Sequence, residues 1–126
     1  MPSGFQGLEV YQEARRLRQR VYKLVRMLPD EEKYNLASQM RRAAVSLTNN
    51  IAEGHGQRSY RHNLSFIYRS RGSVNELIDD IGACEDEAYF QAEHLADLHE
   101  HALRVLKLLN GYIAHLRRKA ADPPKP

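Results

Sequence analysis

Apolar residues recur at alternating spacings of three and four along long stretches of this chain. In the first stretch the series runs from Val10 to Leu28, and in the last it runs from Leu95 to Leu116. Spacings of this kind place the apolar residues in one stripe along one side of an α-helix. A helix with one apolar stripe has to bury it against another element. The pattern therefore predicts an all-α fold in which long amphipathic helices pack stripe to stripe.

Residues that start and stop helices divide the chain into four of them. Pro29 ends the first helix, because the residue before a proline avoids the α region. Asp30 and Ser59 are the expected N-caps of the second and third helices, and Gly54 and Gly56 are expected to end the second with a left-handed C-cap. These signals predict helices over residues 8–28, 30–54, 59–88 and 92–119. Short links between such helices favour an up-down-up-down four-helix bundle.

Length and composition suit one cytoplasmic domain. The chain has 126 residues, a net charge of +3 and a single cysteine, Cys84, which lies on the apolar side of the third helix and is expected in the core. We expect residues 8–119 to form the bundle, residues 1–7 to be a flexible N-terminus, and residues 120–126 to be a polar, proline-rich and disordered tail. No apolar run approaches the roughly 20 residues that span a bilayer, and the first residues lack the features of a signal peptide. We therefore expect a cytoplasmic protein without membrane contact.

Two glycines lie inside the third helix. Gly72 and Gly82 each cost up to about 1 kcal/mol relative to alanine at such a position. Their presence predicts a close approach of a neighbouring helix at those turns, helped by the small side chains of Ser70 and Ser73.

A polar stripe runs beside the apolar stripe of the second helix. Its members are Gln39, Arg42, Ser46, Asn50 and Glu53. In one interpretation these groups meet partners on a neighbouring helix or subunit, with Arg42 or Arg71 as the cation for Glu53. In the other, Glu53 is a general acid or base, or a metal ligand, which would require a second positioned titratable group that no motif supplies. We favour the structural interpretation and predict no catalytic residue.

Histidines offer one candidate metal site. His94, Asp97 and His101 share one face of the fourth helix and could hold a divalent ion weakly, but histidines on an exposed helix face are more often merely solvated, which is the interpretation that we favour. No Glu-x-x-His pair, nucleophile motif or phosphate-binding glycine loop occurs in the chain. We therefore predict a protein that is not an enzyme and has no metal or cofactor.

A basic strip on the first helix is the best candidate for binding. Arg15, Arg16, Lys23 and Arg26 fall on an arc opposite the apolar stripe, at about 100° per residue. Cations in a row suit the phosphate backbone of a nucleic acid. The alternatives are a solvated helix face, or pairing with the acidic second half of the third helix in another subunit.

Three segments resemble one bacterial family of four-helix bundles. They are FQGLEVYQEA near the start, QMRRAAVSLTNNIAEGHGQR in the second helix and GSVNEL in the third, with the pattern SxxxNIAEGxG from Ser46 to Gly56 as the most specific part. The family includes proteins encoded within intervening sequences of large-subunit ribosomal RNA genes and the accessory variability protein of diversity-generating retroelements. The resemblance covers about residues 5–118. It implies a left-handed bundle that assembles as a homopentamer, a barrel with a central channel, and that binds nucleic acid through a basic surface.

The residues and the resemblance together predict a non-enzymatic, homo-oligomeric bundle that binds RNA or DNA by electrostatic, shape-based contacts. The alternative is an oligomeric scaffold that docks a protein partner, such as a reverse transcriptase, without affinity of its own for nucleic acid. The expected partners are further copies of the chain, RNA or DNA, and a reverse transcriptase.

Overall fold

The computed structural model describes residues 4–122, which form four long helices and no strand. The helices are α1 (Glu9–Val25), α2 (Leu36–His55), α3 (Tyr60–Asp86) and α4 (Ala92–Ala121), and 3-10 turns lie at Gly4–Gly7 and Asp30–Glu32. Each helix packs on the next one along the chain, and α4 closes the bundle by packing on α1. The prediction of an all-α, four-helix fold is confirmed. Within these residues no helix combines the length and the apolar character needed to cross a membrane.

The apolar stripes of the helices meet in one core. Its largest fully buried side chains are Leu17, Leu24, Met40, Leu47, Ile51, Ile67, Leu77, Ile81, Leu95, Leu98, Leu109 and Leu116. Cys84 is also fully buried, as expected, and burial raises the pKa of its thiol to about 11. The thiol is therefore protonated at neutral pH and packs as a small apolar group.

The start of α2 differs from the predicted one. Asp30 opens a 3-10 turn, and α2 begins at Leu36 with Asn35 in the N-cap position. Glu32 supplies the capping oxygen, because its Oε1 accepts hydrogen bonds from Asn35 Nδ2 at 3.0 Å and from the Leu36 N–H at 3.5 Å. Glu32 Oε2 accepts a 2.7 Å hydrogen bond from the hydroxyl of Tyr89, in the turn between α3 and α4. A tertiary contact thus holds the residue that starts the helix.

The other bounds differ from the predicted ones by a few residues. α1 ends early, at Val25, whereas α4 continues to Ala121, so the start of the expected disordered tail is helical. Alanine favours this continuation, since it has the highest helix propensity. Gly4–Gly7 forms a 3-10 turn where a flexible segment was expected. Residues 1–3 and 123–126 lie outside the described part of the chain.

Gly54 marks a close approach between helices, and Gly72 and Gly82 do not. A methyl group built on Gly54 would lie 2.5 Å from Asn63 Oδ1, whereas one built on Gly72 or Gly82 would have no atom within 4 Å. The prediction for the two α3 glycines is therefore wrong. Gly56 has a φ of −80°, so the predicted left-handed C-cap of α2 is wrong as well.

Two serines make defined contacts at the start and in the middle of α3, and the cap by Ser59 is the one that was predicted. Ser59 caps the helix by accepting a 3.1 Å hydrogen bond from the N–H of His62. Ser70 is fully buried, and its hydroxyl donates to the carbonyl oxygen of Leu47 in α2 at 2.9 Å. This bond ties α3 to α2 in the middle of their contact.

Candidate functional site

The basic strip predicted on α1 lies on the outer surface of the bundle. Arg15, Arg16, Lys23 and Arg26 are all exposed, while the apolar stripe of the same helix is buried. Arg16 donates to Glu13 Oε1 at 2.8 Å, and the other three cations form no ion pair within residues 4–122. An anion that contacts this face therefore meets three cations that no carboxylate of residues 4–122 neutralises.

A groove between α1 and α2 continues this strip on one side. Three adjoining depressions follow the groove, and they share Tyr22, Arg26 and Arg41 along their walls. The other charged side chains that line them are Arg18, Lys23, Lys33, Arg42, Asp30 and Glu53. Cations thus outnumber carboxylates six to two. Arg41 could not be predicted as part of this surface, because it lies off the polar stripe of α2 and only the fold brings it beside α1.

Part of the polar stripe on α2 is joined by hydrogen bonds. Asn50 Nδ2 donates to the Ser46 carbonyl oxygen at 2.9 Å and to Ser46 Oγ at 3.0 Å. Ser73 of α3 donates to Ser46 Oγ at 3.0 Å, so this group links two helices. Gln39 Nε2 donates to Asn35 Oδ1 at 3.4 Å, one turn earlier on its own side of the helix.

The charged members of the polar stripe lie in solvent. Arg42 and Glu53 are both exposed, and within residues 4–122 Glu53 pairs with no cation. Arg71, the other suggested partner of Glu53, donates instead to Asn110 Oδ1 at 3.2 Å. Within one chain Glu53 is therefore paired with neither Arg42 nor Arg71, and a partner for it on another subunit stays a prediction. Glu53 is one of the two carboxylates in the α1–α2 groove.

A charged network joins α1 to α4 on the opposite flank. His101 is buried, and its Nε2 lies 3.1 Å from Glu13 Oε2. Its Nδ1 lies 3.0 Å from Arg20 Nη1, and Arg20 Nη2 donates to Asp97 Oδ2 at 2.6 Å. A guanidinium can only donate and an ionised carboxylate can only accept. His101 is therefore neutral, with its proton on Nε2.

Protonation of His101 would break this arrangement. Imidazolium carries N–H on both nitrogens, so Nδ1 could no longer accept from Arg20. Burial lowers the pKa of His101, and the positive charges of Arg20 and Arg104 lower it further against the opposing effect of Glu13. The ring therefore resists protonation in the folded protein more than in the unfolded chain.

We expect the stability of the wild type relative to a His101→Gln variant to fall as the pH decreases below about 6.5. Because folding lowers the pKa of His101, the unfolded chain takes up the proton first, so the contribution of the neutral ring is complete above about pH 6.5 and is lost towards the folded-state pKa. Glutamine keeps a donor for Glu13 and an acceptor for Arg20 but does not titrate. Thermal melts of both proteins at several pH values test this, and parallel curves would contradict it.

The geometry does not assemble the candidate metal site of α4. Both ring nitrogens of His101 are engaged, Asp97 is bonded to Arg20, and the ring of His94 packs 6.2 Å from that of Phe90. No group of three or more His, Cys, Asp or Glu side chains within residues 4–122 is placed to hold a metal ion.

A second group of cations, missed by the sequence analysis, lies where the first half of α3 meets the second half of α4. The segments 57–71 and 109–121 contain seven Arg and Lys residues and no Asp or Glu. In contrast, the segment 72–87 contains six Asp and Glu residues and no Arg or Lys. Contacts such as Tyr68 with Arg117 place the two basic segments side by side. Charge is therefore separated along α3, and its basic half lies beside the basic end of α4.

Fold and surface together define a small four-helix bundle with basic outer faces and a charged network between its first and last helices. A family model described as the 23S rRNA-intervening sequence protein matches residues 6–111. The chain belongs to that family.

One solved structure illustrates the same architecture. It is a protein of unknown function from the S23 ribosomal protein family of Bacteroides thetaiotaomicron, with a TM-score of 0.77 and 20% sequence identity. The match covers 82% of this chain and 97% of that chain. At this identity the likeness concerns the fold alone. No curated protein matches the chain.

Proposed function

We propose that the chain is a non-enzymatic, homo-oligomeric bundle protein that binds RNA or DNA through the basic strip of α1 and the groove beside it. The observation that carries the proposal is the exposure of Arg15, Lys23 and Arg26 without an ion pair within residues 4–122. The cations of the α1–α2 groove extend the same positive surface. The name of the family associates its members with 23S rRNA, which favours RNA over DNA.

Replacing Arg15, Arg16, Lys23 and Arg26 together with alanine is expected to make the salt dependence of binding shallower. If each side chain contacts one phosphate of a duplex, the slope of log affinity against log salt concentration changes by about 3.6, because each contact contributes about 0.9. Fluorescence anisotropy with a labelled duplex over about 50–200 mM salt measures this slope.

A matched pair of variants separates this site from general charge effects. Arg15/Arg26→Ala and Arg104/Lys107→Ala both remove two positive charges from exposed positions, but only the first pair lies on the strip. We expect the slope to change by about 1.8 for the first pair and to stay constant for the second. Equal changes would contradict the assignment to α1. If the wild-type protein bound no nucleic acid at low salt, the remaining candidate function would be that of a scaffold that docks a protein partner such as a reverse transcriptase.

The homo-oligomer, for which we propose five copies, draws support from the outward face of α2. Between Arg42 and Glu53 this face carries small or uncharged side chains, among them Val45, Asn49 and Ala52. Val45 and Asn49 line one of the three depressions of the α1–α2 groove, so another copy would occupy that depression and leave the cations of the other two to nucleic acid. A helix of another copy can approach such a face closely without burying charge. Native mass spectrometry gives the number of copies directly, and a monomer at micromolar concentration would contradict the assembly.

A further inference from the structure

Tyr68, Arg71, Asn110 and Arg117 form a cluster on the outer surface between α3 and α4. Arg117 Nε donates to the Tyr68 hydroxyl at 2.9 Å, and Arg71 Nη1 donates to Asn110 Oδ1 at 3.2 Å. The guanidinium carbons of Arg71 and Arg117 lie 5.2 and 5.6 Å from the centroid of the Tyr68 ring, within the range of cation–π attraction. We call this group the α3–α4 cluster.

The two arginines of the α3–α4 cluster are held in place without being neutralised. Each guanidinium has five N–H donors and uses one of them, on a phenol or an amide. Neither forms an ion pair with any carboxylate of residues 4–122. On α1, in contrast, Arg16 is paired with Glu13, and Arg20 is paired with Asp97 of α4. The cluster thus presents two positive charges that are fixed in position and that no carboxylate of residues 4–122 neutralises.

The aromatic ring distinguishes the cluster from the strip on α1. Tyr68 is 36% exposed, and Tyr60 in the first turn of α3 is 49% exposed. Exposed rings and guanidinium planes are the platforms on which unpaired bases stack, whereas a duplex keeps its bases stacked inside. The surrounding segments, 57–71 and 109–121, hold no carboxylate that would repel a phosphate.

We propose that the α3–α4 cluster binds unpaired nucleotides of a single-stranded nucleic acid. A base stacks on the platform of Tyr68 and its flanking guanidinium groups, and the free N–H donors of Arg71 and Arg117 hold the adjacent phosphates. This goes beyond the proposed function, because it concerns another pair of helices and another class of ligand than the backbone of a duplex. Neither proposal depends on the other.

The competing occupant is the acidic half of α3 in a second copy. Its carboxylates, in the segment 72–87, complement the charge of the cluster. A carboxylate surface would contact the arginines alone, however, so Tyr68 would only hold them in place and its exposed surface would contact no ligand. Single-stranded nucleic acid uses both the ring and the charges, so it is the occupant that the observations favour.

Tyr68→Ala is expected to weaken binding of a labelled single strand of about ten nucleotides by about tenfold, and to leave binding of a duplex unchanged. Tyr68→Phe keeps the ring and is expected to lose less than about threefold. Anisotropy titrations with oligouridine and with a blunt duplex measure both affinities, and thermal melts confirm that each variant is folded. The Arg71/Arg117→Gln variant tests the phosphate contacts separately. For single strands, its slope of log affinity against log salt concentration is expected to be shallower by about 1.4.

Several results would overturn the assignment. They are unchanged single-strand affinity in Tyr68→Ala, an equal loss on single strand and duplex, and a lower oligomer mass in Arg71/Arg117→Gln with single-strand binding intact. The last result would assign the cluster to contact between copies. Failure of this proposal is distinguishable from failure of the proposed function, because duplex binding and its dependence on Arg15 and Arg26 are measured in the same experiment.

Discussion

Replacing Gly54 with alanine is expected to lower the free energy of unfolding by about 2–3 kcal/mol, which corresponds to a melting temperature on the order of 10 °C lower. Gly54 is buried in the last turn of α2, against the start of α3. The added methyl group would lie 2.5 Å from Asn63 Oδ1, 3.1 Å from the Asn63 carbonyl oxygen and 3.1 Å from Phe66 Cβ. The last two atoms belong to the backbone or adjoin it, so a change of rotamer cannot clear them. The two helices have to move apart, and core contacts are lost with them.

Gly72→Ala is the matched control for this prediction. Gly72 lies inside α3, and a methyl group there would meet no atom within 4 Å. Alanine in a helix is more favourable than glycine by about 0.5–1 kcal/mol, so this variant is expected to be more stable than the wild type. Differential scanning calorimetry of the two variants should give shifts of opposite sign. A loss of stability in both, or in neither, would contradict the close approach at Gly54.

Asp80→Asn is expected to stabilise the protein at neutral pH by about 2 kcal/mol. Asp80 is only 5% exposed in the α3 face of the core, and its Oδ2 has no hydrogen-bond partner within residues 4–122. Burial, reinforced by the negative charges of Glu76 and Asp79, raises the pKa of the Asp80 carboxyl to about 6. The charged form is therefore costly in the folded state. An amide removes that charge but leaves buried donors to satisfy, which offsets part of the gain.

The dependence on pH identifies the cause of this stabilisation. Because folding raises the pKa of Asp80, the folded protein binds its proton more tightly than the unfolded chain, and the wild type loses stability as the pH rises from about 3.8 to about 6. The advantage of Asp80→Asn is thus expected to be absent near pH 4 and complete above about pH 6. His101 acts in the opposite direction, but it is present in both proteins and cancels from the difference.

Urea unfolding at several pH values measures this difference, with Asp79→Asn as the control. Asp79 is exposed beside Asp80, so its replacement should change stability by no more than about 0.5 kcal/mol. If Asp80→Asn were less stable than the wild type at neutral pH, the expected cost of the buried charge would be contradicted.

Features of the fold that depend on local spacing could be predicted from the sequence. The apolar stripes of all four helices are buried, because a helix repeats every 3.6 residues whatever packs on it. The Ser59 cap was found for the same reason, since its bond to the His62 N–H spans one turn. The start of α2 and the role of Gly54 could not be found in this way. They depend on Tyr89 and Asn63, which lie on other elements.

The same distinction, between features within one helix and contacts between helices, applies to the candidate sites. The strip of α1 lies on one helix, and its exposure follows from its position opposite the apolar stripe. The α3–α4 cluster joins residues that are far apart in sequence, so no spacing within one helix reveals it. His101 was assigned to a solvated face, although its spacing of three from Leu98 and four from Val105, both in the core, is a signal of burial. Its partners, Glu13 and Arg20, could be identified only from the packing of α1 on α4.

The charged network between α1 and α4 has a consequence for how α1 presents its outer face. Apolar side chains tolerate sliding and rotation of one helix on another, because dispersion and burial depend weakly on direction. The bonds of Glu13 and Arg20 to His101 and Asp97 are directional, and Arg18 adds a 2.8 Å hydrogen bond to Thr48 on α2. A slip of α1 by one turn, about 5.4 Å, would break all of them. They therefore set the rotational phase of α1, and with it the direction in which Arg15, Lys23 and Arg26 point.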